Sequence, residues 1–170
     1  MVLGAIWGAT AAECAMPMPC DELLPRAPVW LHRAVSIDAP PSIVFRWLCQ
    51  LKLAPYSYDL LDNFGRRSPR QLVPGTEQLE VGQRFMLIFS LRSFAHDEHI
   101  TLRSRRTAVT YALLPGNDPT KTRLFARVLF DPPGRRFAAT LVGNSLAIWD
   151  LVMMRKQLLT LKTLSERDSG

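Results

Sequence analysis

The sequence has few of the features that mark a disulfide-bonded, metal-bound or membrane-spanning protein. It contains 3 cysteines, an odd number without a C-x-x-C pair, which argues against a disulfide framework or zinc knuckle and favours a reducing cytoplasm. No stretch reaches the roughly 18 unbroken apolar residues of a membrane-spanning helix. Phosphate-binding glycine loops and the G-x-S-x-G and H-E-x-x-H patterns are also missing, so the sequence predicts no nucleotide, metal or other cofactor.

The charge of the chain is basic but dispersed. The chain carries 21 Lys and Arg against 15 Asp and Glu, and the excess consists largely of arginines in short clusters. A nucleic-acid-binding protein more often concentrates its charge on one element, with aromatic residues between the basic ones. The pattern therefore favours a solvated basic surface and no nucleic-acid partner, while attraction to an anionic lipid or substrate stays open.

The length and the proline distribution suggest one domain with an N-terminal extension. A chain of 170 residues, 48% of them hydrophobic, can bury a sizeable core. The apolar N-terminal stretch is not expected to be a signal peptide, because Glu13 interrupts it and no Lys or Arg comes before Arg26. Four prolines between residues 16 and 28 favour irregular chain there. The predicted organisation is an extended segment over 1–28, a folded domain over 29–166 and a polar tail over 167–170.

The first half of the predicted domain indicates a strand followed by two helices. Alternating side chains predict a strand over 29–38. Pro41 then opens a helix, because proline is favourable in a first turn, and apolar residues follow at helical spacing. A second short helix is predicted over 57–64, and the polar segment 65–82 is predicted to be a lid or a connecting loop.

The second half predicts a run of strands and a closing helix. Four alternating segments with short connections between them should pair as an antiparallel meander: 84–92, 97–104, 107–114 and 121–130. In the last segment Leu124, Ala126 and Val128 are favoured as the inward residues, although Phe125 and Leu129 leave the register open. An apolar stripe then predicts a helix at least over 145–165, with Asp150 as its cap or as a partner of Arg155.

This order of elements predicts an α+β fold with a cavity. One face of the sheet is apolar and must be covered, and only the C-terminal helix is long enough to lie across it. A bent antiparallel sheet around one helix leaves space where the helix does not reach. The sequence therefore predicts an internal site for a small hydrophobic molecule.

Several stretches of the chain resemble the START-like, or SRPBCC, superfamily. The resemblance rests on WGATAAE (7–13), AVSIDAPPSIVFRWLCQL (34–51), YSYDLLDN (56–63), LEVGQRF (79–85) and DLVMMRKQLLTLK (150–162). The closing motif resembles an uncharacterised bacterial subgroup. This chain departs from that subgroup at Cys20, where the subgroup commonly has a glycine. The resemblance implies the helix-grip fold, a curved antiparallel sheet wrapped around a long C-terminal helix. It leaves the activity open, because this fold hosts lipid carriers as well as polyketide cyclases and dehydratases.

The candidate ligand-binding residues are apolar or aromatic. An ordinary filled core is the alternative for each of them taken singly, but as a set they suit a lined cavity. Tyr56 and Tyr58 are expected at the entrance, where the resemblance places it. The sheet candidates are Phe85, Leu87, Phe89, Ile100, Leu102, Val109 and Tyr111, and the helix candidates are Leu151, Met154 and Leu158.

The catalytic candidates decide between two functions. A carrier of a lipid, polyketide or similar metabolite needs only apolar lining, whereas a cyclase or dehydratase needs converging polar groups. The candidates for such groups are Glu98, His99, Tyr111 and Arg127. His96 and His99 point to opposite faces of a strand, so they predict no metal site. Of the two functions, binding without catalysis is favoured. A third alternative, a regulatory module that uses the basic surface, stays open, as does a homodimer. The expected location is the cytoplasm.

Overall fold

The computed structural model describes residues 4–57, 67–115, 118–132 and 136–170, without the side chains of residues 115 and 136–147. The predicted helix over 57–64 lies outside these residues except for Ser57. In chain order the elements are β1 (Ile6–Trp7), α1 (Ala11–Ala15), α2 (Pro19–Leu23), β2 (Val29–Ile37), α3 (Pro41–Cys49), a 3-10 turn (Gln50–Lys52), β3 (Arg84–Phe85), β4 (Phe89–Ala95), β5 (His99–Arg103), β6 (Thr107–Pro115), β7 (Thr122–Phe130) and α4 (Arg136–Ser169).

Within the described ranges of the chain, the strands form one mixed sheet of seven strands in the order β1-β2-β7-β6-β5-β4-β3. The strands from β3 to β7 pair antiparallel with their chain neighbours, so the predicted meander is confirmed. β2 pairs antiparallel with β7 along its whole length, and the short β1 is parallel to β2. The fold is therefore α+β, as predicted, and it is compatible with a helix-grip arrangement.

The long helix α4 covers one face of the sheet together with α3. The inward side chains of β6 and β7 include Val109, Tyr111 and Leu124, all buried in one hydrophobic cluster. Leu158 and Leu161 on α4 are fully buried in the same cluster. The predicted polar tail is in fact helical to Ser169, because α4 continues beyond the last apolar residue of its stripe.

The other face of the sheet is covered by the N-terminal segment, which the sequence predicted to be extended. That prediction is wrong at α1 and α2. Thr10 and Glu13 form a capping box that starts α1, and Pro19 occupies the first turn of α2, where its missing N–H costs nothing. Cys20 of α2 is fully buried against the sheet, and its backbone N–H donates to Thr110 Oγ1 at 3.0 Å. The sheet is thus enclosed between two layers.

The predicted strand 84–92 is interrupted by a turn. Met86 and Leu87 have φ of 44° and 65°, values that few residues other than glycine adopt. The chain reverses there, so β3 pairs with β4, and Leu87 in the turn has 62% of its surface exposed. The prediction of one continuous strand over 84–92 is therefore wrong. The predicted loop is confirmed over 67–82, which contains neither helix nor strand.

Candidate functional site

A cavity of about 540 Å³ lies between the sheet and the part of α4 that runs from Trp149 to Gln157. Toward the C-terminal end of α4, Leu158, Leu161 and Leu164 pack solidly into the core. Toward its N-terminal side, Trp149, Asp150 and Met153 border the open space instead. The cavity is lined by Val29, Leu31, Pro55, Ser57, Met86, Leu87, Ile88, Phe89, Thr107, Val109, Tyr111, Val128, Phe130, Trp149, Asp150, Met153, Met154 and Gln157.

Five of the predicted ligand-binding residues line this cavity: Leu87, Phe89, Val109, Tyr111 and Met154. The others lie elsewhere among the described residues, or outside them in the case of Tyr58. Phe85, Ile100, Leu102 and Leu158 are fully buried in the packed core, and Leu151 lies beside Gly4.

Tyr56 was predicted at the cavity entrance but packs inside the core. Only 1% of its surface is exposed, and its ring meets the ring of Trp47 edge to face, with 5.8 Å between the centroids. Its backbone φ of 56° turns the chain sharply after α3. Pro55 and Ser57, its immediate neighbours, line the cavity instead.

A hydrogen-bonded pair of side chains forms one polar group of the cavity wall. The Tyr111 hydroxyl donates to Gln157 Oε1 at 2.7 Å, and Gln157 Nε2 donates to the Pro55 carbonyl oxygen at 2.6 Å. Burial raises the pKa of Tyr111 well above its ordinary value, so this hydroxyl keeps its proton. Gln157 interrupts the apolar stripe of α4 between Met154 and Leu158, a signal that sequence inspection could have used.

An ion pair between Arg33 and Asp150 forms the second polar group. Arg33 is fully buried on β2, and its Nη2 donates to Asp150 Oδ2 at 3.0 Å. Its Nη1 donates to the carbonyl oxygens of Ala5 and His32 at 2.8 and 2.9 Å. About a fifth of the Asp150 side chain (21%) is exposed, and this residue lines the cavity. Burial raises the pKa of Asp150 to about 6, although the Arg33 charge opposes the shift.

The predicted roles of Asp150 are therefore wrong. α4 begins at Arg136, so Asp150 lies inside the helix and cannot cap its start. Arg155, the predicted partner, instead places its guanidinium 5.7 Å from the centre of the Trp7 ring. Sequence inspection missed Arg33 because an arginine in an alternating strand is most simply interpreted as solvent-exposed.

Of the four catalytic candidates, only Tyr111 lies in the cavity. Glu98 is exposed in the turn before β5, and the half-buried His99 borders a separate groove beside α2. Arg127 points to the opposite face of the sheet, where it pairs with Asp21 at 2.6 Å and donates to the Cys14 carbonyl oxygen at 2.8 Å. The structure does not bring the four together.

The described part of the chain offers no cluster of three or more His, Cys, Asp or Glu that could hold a metal ion. His96 contacts the rings of Phe45 and Phe94. Within the described residues, no helix has both the length and the apolar character needed to cross a membrane.

Comparison with known proteins shows the fold alone. No protein-family model matches the chain, and no curated protein is significantly similar to it. The solved structure of TTHA0849 from Thermus thermophilus is 17% identical, with a TM-score of 0.52, over 83% of this chain and 99% of that one. XoxI from Bacillus cereus is 12% identical, with a TM-score of 0.50, over 80% of this chain and 94% of its own. Whether the chain forms a homodimer stays open, as it did from the sequence.

Proposed function

We propose that the chain is a START-like helix-grip domain that binds a small hydrophobic molecule in the cavity beneath α4. The observation that carries this proposal is the cavity itself. Its volume of about 540 Å³ falls within the range of small-molecule sites, and apolar side chains from the sheet, the β3–β4 turn and α4 form most of its wall. We also propose a cytoplasmic location, because an odd number of cysteines without a C-x-x-C pair suits a reducing compartment.

Exposed apolar side chains around the cavity support an open route for the molecule. Leu87, Ile88 and Trp149 line the cavity, yet 62%, 72% and 54% of their surfaces are exposed. Contact with a bound apolar molecule would remove part of that surface from water, at about 25 cal/mol for each Å² buried. The flexible side chains of Met153 and Met154 can adapt to different molecular shapes.

Adjacent helix positions provide a matched test of the site. Met153 is half-buried and lines the cavity, whereas Val152 is 45% exposed and does not line it. Met153→Trp should fill part of the space, and Val152→Trp adds a similar ring outside it. Binding of Nile red, a neutral apolar dye, is measured by fluorescence titration, and the fold of each variant is checked by circular dichroism.

We expect the wild type and Val152→Trp to bind the dye with similar affinity. Met153→Trp should bind it about ten-fold more weakly or worse, a loss of about 1.4 kcal/mol or more. If the folded wild type bound no apolar probe, or if both variants bound as the wild type does, the proposed function would be wrong. Native mass spectrometry of the purified protein would identify a molecule that remains bound.

A cyclase or dehydratase acting in the same cavity is the second candidate, and Asp150 favours it. A carboxyl group whose pKa is raised to about 6 can both donate and accept a proton near neutral pH. It lies in the same cavity as the Tyr111 hydroxyl. A synthetic linear polyketone incubated with the protein should lose water on cyclisation, seen by mass spectrometry, and Asp150→Asn should slow this. Equal conversion by both proteins, or none, would exclude this role for Asp150.

A further inference from the structure

Three hydrogen-bond donor groups at the cavity wall, those of Tyr111, Gln157 and Arg33, are already engaged within the protein. The Tyr111 hydroxyl hydrogen is directed at Gln157 Oε1, and the Gln157 amide donates to the Pro55 carbonyl oxygen. The Arg33 guanidinium, fully buried behind the wall, donates to two backbone carbonyls and to Asp150. These three donor groups are therefore directed at protein acceptors.

Acceptor capacity remains at the same place. A carboxylate offers two oxygens with about four lone-pair positions, and the hydrogen bond from Arg33 to Asp150 is made to Oδ2. The Tyr111 oxygen keeps its lone pairs when its hydrogen is donated to Gln157. The hydroxyls of Ser57 and Thr107, which also line the cavity, can donate or accept and so do not discriminate.

We propose that the cavity takes an apolar molecule whose polar end is a hydrogen-bond donor, an alcohol or an amine, and disfavours one that ends in a carboxylate. The alcohol or ammonium group donates to Asp150, while the apolar part contacts Val109, Val128 and Met153. A carboxylate would meet the negative charge of Asp150, and Arg33 is already committed to that charge. This inference rests on the proposed binding function and specifies its ligand.

A series of ligands with one alkyl chain and three head groups tests this inference. Dodecanol, dodecylamine and dodecanoate are each used to displace Nile red from the wild-type protein near neutral pH. Hydrogen bonds to charged groups are stronger than neutral ones, so dodecanol and dodecylamine should bind at least about ten-fold more tightly than dodecanoate. This first arm needs no variant.

Two variants then assign the preference. Asp150→Asn keeps an acceptor oxygen for Arg33 and should fold. It should weaken the binding of dodecylamine about ten-fold and bring the affinity for dodecanoate close to that for dodecanol. Glu98→Gln removes an exposed carboxylate outside the cavity and should leave all three affinities unchanged. Circular dichroism confirms that each variant is folded.

The outcomes separate this inference from the binding function on which it rests. If neither the dye nor any of the three ligands binds, the proposed function itself fails. Should dodecanoate bind as tightly as dodecanol, the cavity binds ligands but the inferred preference is wrong. The assignment to Asp150 is likewise overturned by a wild-type preference that persists unchanged in folded Asp150→Asn.

Discussion

Replacing Asp150 by asparagine should change how the stability of the protein depends on pH. Burial raises the pKa of Asp150 from 3.8 to about 6, against the opposing charge of Arg33 at 3.0 Å. Between these two values the folded chain binds more protons at this carboxyl than the unfolded chain does. Stability therefore falls as the pH rises, so the contribution of this group is present at low pH and is lost by about pH 6.

The size of the effect follows from the shift. One pKa unit corresponds to about 1.4 kcal/mol, so a shift of about two units should make the wild type lose on the order of 2 kcal/mol of unfolding free energy between about pH 4 and about pH 7, relative to Asp150→Asn. The difference between the two proteins is the quantity to measure. Other groups titrate in the same range, but they are present in both proteins.

His32 shows why the difference is needed. Burial lowers the pKa of His32 from 6.5 to about 4, so its contribution to stability is lost as the pH falls through this interval. That is the opposite direction from Asp150, and the raw stability curve of the wild type can therefore look flat. Subtracting the curve of Asp150→Asn removes the His32 contribution.

Urea unfolding at several pH values between about 4 and about 7 gives the free energies by linear extrapolation. Glu98→Gln serves as the control, because this carboxylate is exposed and its removal should shift the whole curve by little. A difference between wild type and Asp150→Asn that stays constant with pH, or that grows in favour of the wild type as the pH rises, would refute the assignment of a raised pKa to Asp150.

Two further predictions concern the N-terminal segment. Gly8→Ala and Gly75→Ala both place a side chain at positive φ, which costs about 1–2 kcal/mol. In urea unfolding, Gly8→Ala should cost roughly 2 kcal/mol more than Gly75→Ala. The reason is that a Cβ at Gly8 would lie 2.2 Å from a carbonyl oxygen of β2, whereas nothing lies within 4 Å of a Cβ at Gly75. Equal losses would contradict the clash. Asp21→Asn removes the counter-charge of the buried Arg127 and should lower the free energy of unfolding by about 3 kcal/mol. Glu22 is exposed on the same helix, so Glu22→Gln should change it by no more than about 0.5 kcal/mol. Similar values for both variants would show that the buried pair contributes little to stability.

The sheet and the long helix could be predicted because their patterns report burial directly. In β6 every second residue faces the inner cluster, and the alternation of the large Val109 and Tyr111 with the smaller Ala108, Thr110 and Ala112 shows this. The favoured register of 121–130 is confirmed, since Leu124, Ala126 and Val128 lie in the inner cluster. Periodicity of this kind depends only on residues close together in the chain, so one sequence is enough to predict it.

The turn between β3 and β4 could not be predicted in this way. Met86 and Leu87 adopt positive φ without the glycine or asparagine that normally announces such a turn, and their apolar alternation imitates a continuous strand. The N-terminal helices were missed for a related reason. Pro19 is unfavourable inside a helix but favourable in its first turn, so the same residue supports either prediction.

The polar part of the site depends on contacts between residues far apart in the chain. Arg33 and Asp150 are separated by 117 positions, and Tyr111 and Gln157 by 46. Each residue has a plausible local explanation, as a strand arginine or a helix cap, and only the packing of α4 on the sheet selects its partner. The apolar wall was therefore partly foreseen, whereas the acceptor groups were not.

The first residues of the chain act on the cavity although they lie outside it. Arg33, which holds Asp150 through Nη2, donates from Nη1 to the carbonyl oxygen of Ala5, and Ala5 directly precedes β1, which pairs with the edge of β2. Gly8 lets the chain pass close against Ala34 directly after β1, since a Cβ there would overlap the Ala34 carbonyl oxygen. Displacing β1 would free a donor of Arg33 next to Asp150 and change the electrostatics of the cavity wall. If the proposed preference for donor ligands holds, Gly8→Ala should therefore weaken that preference even where the apolar lining is intact.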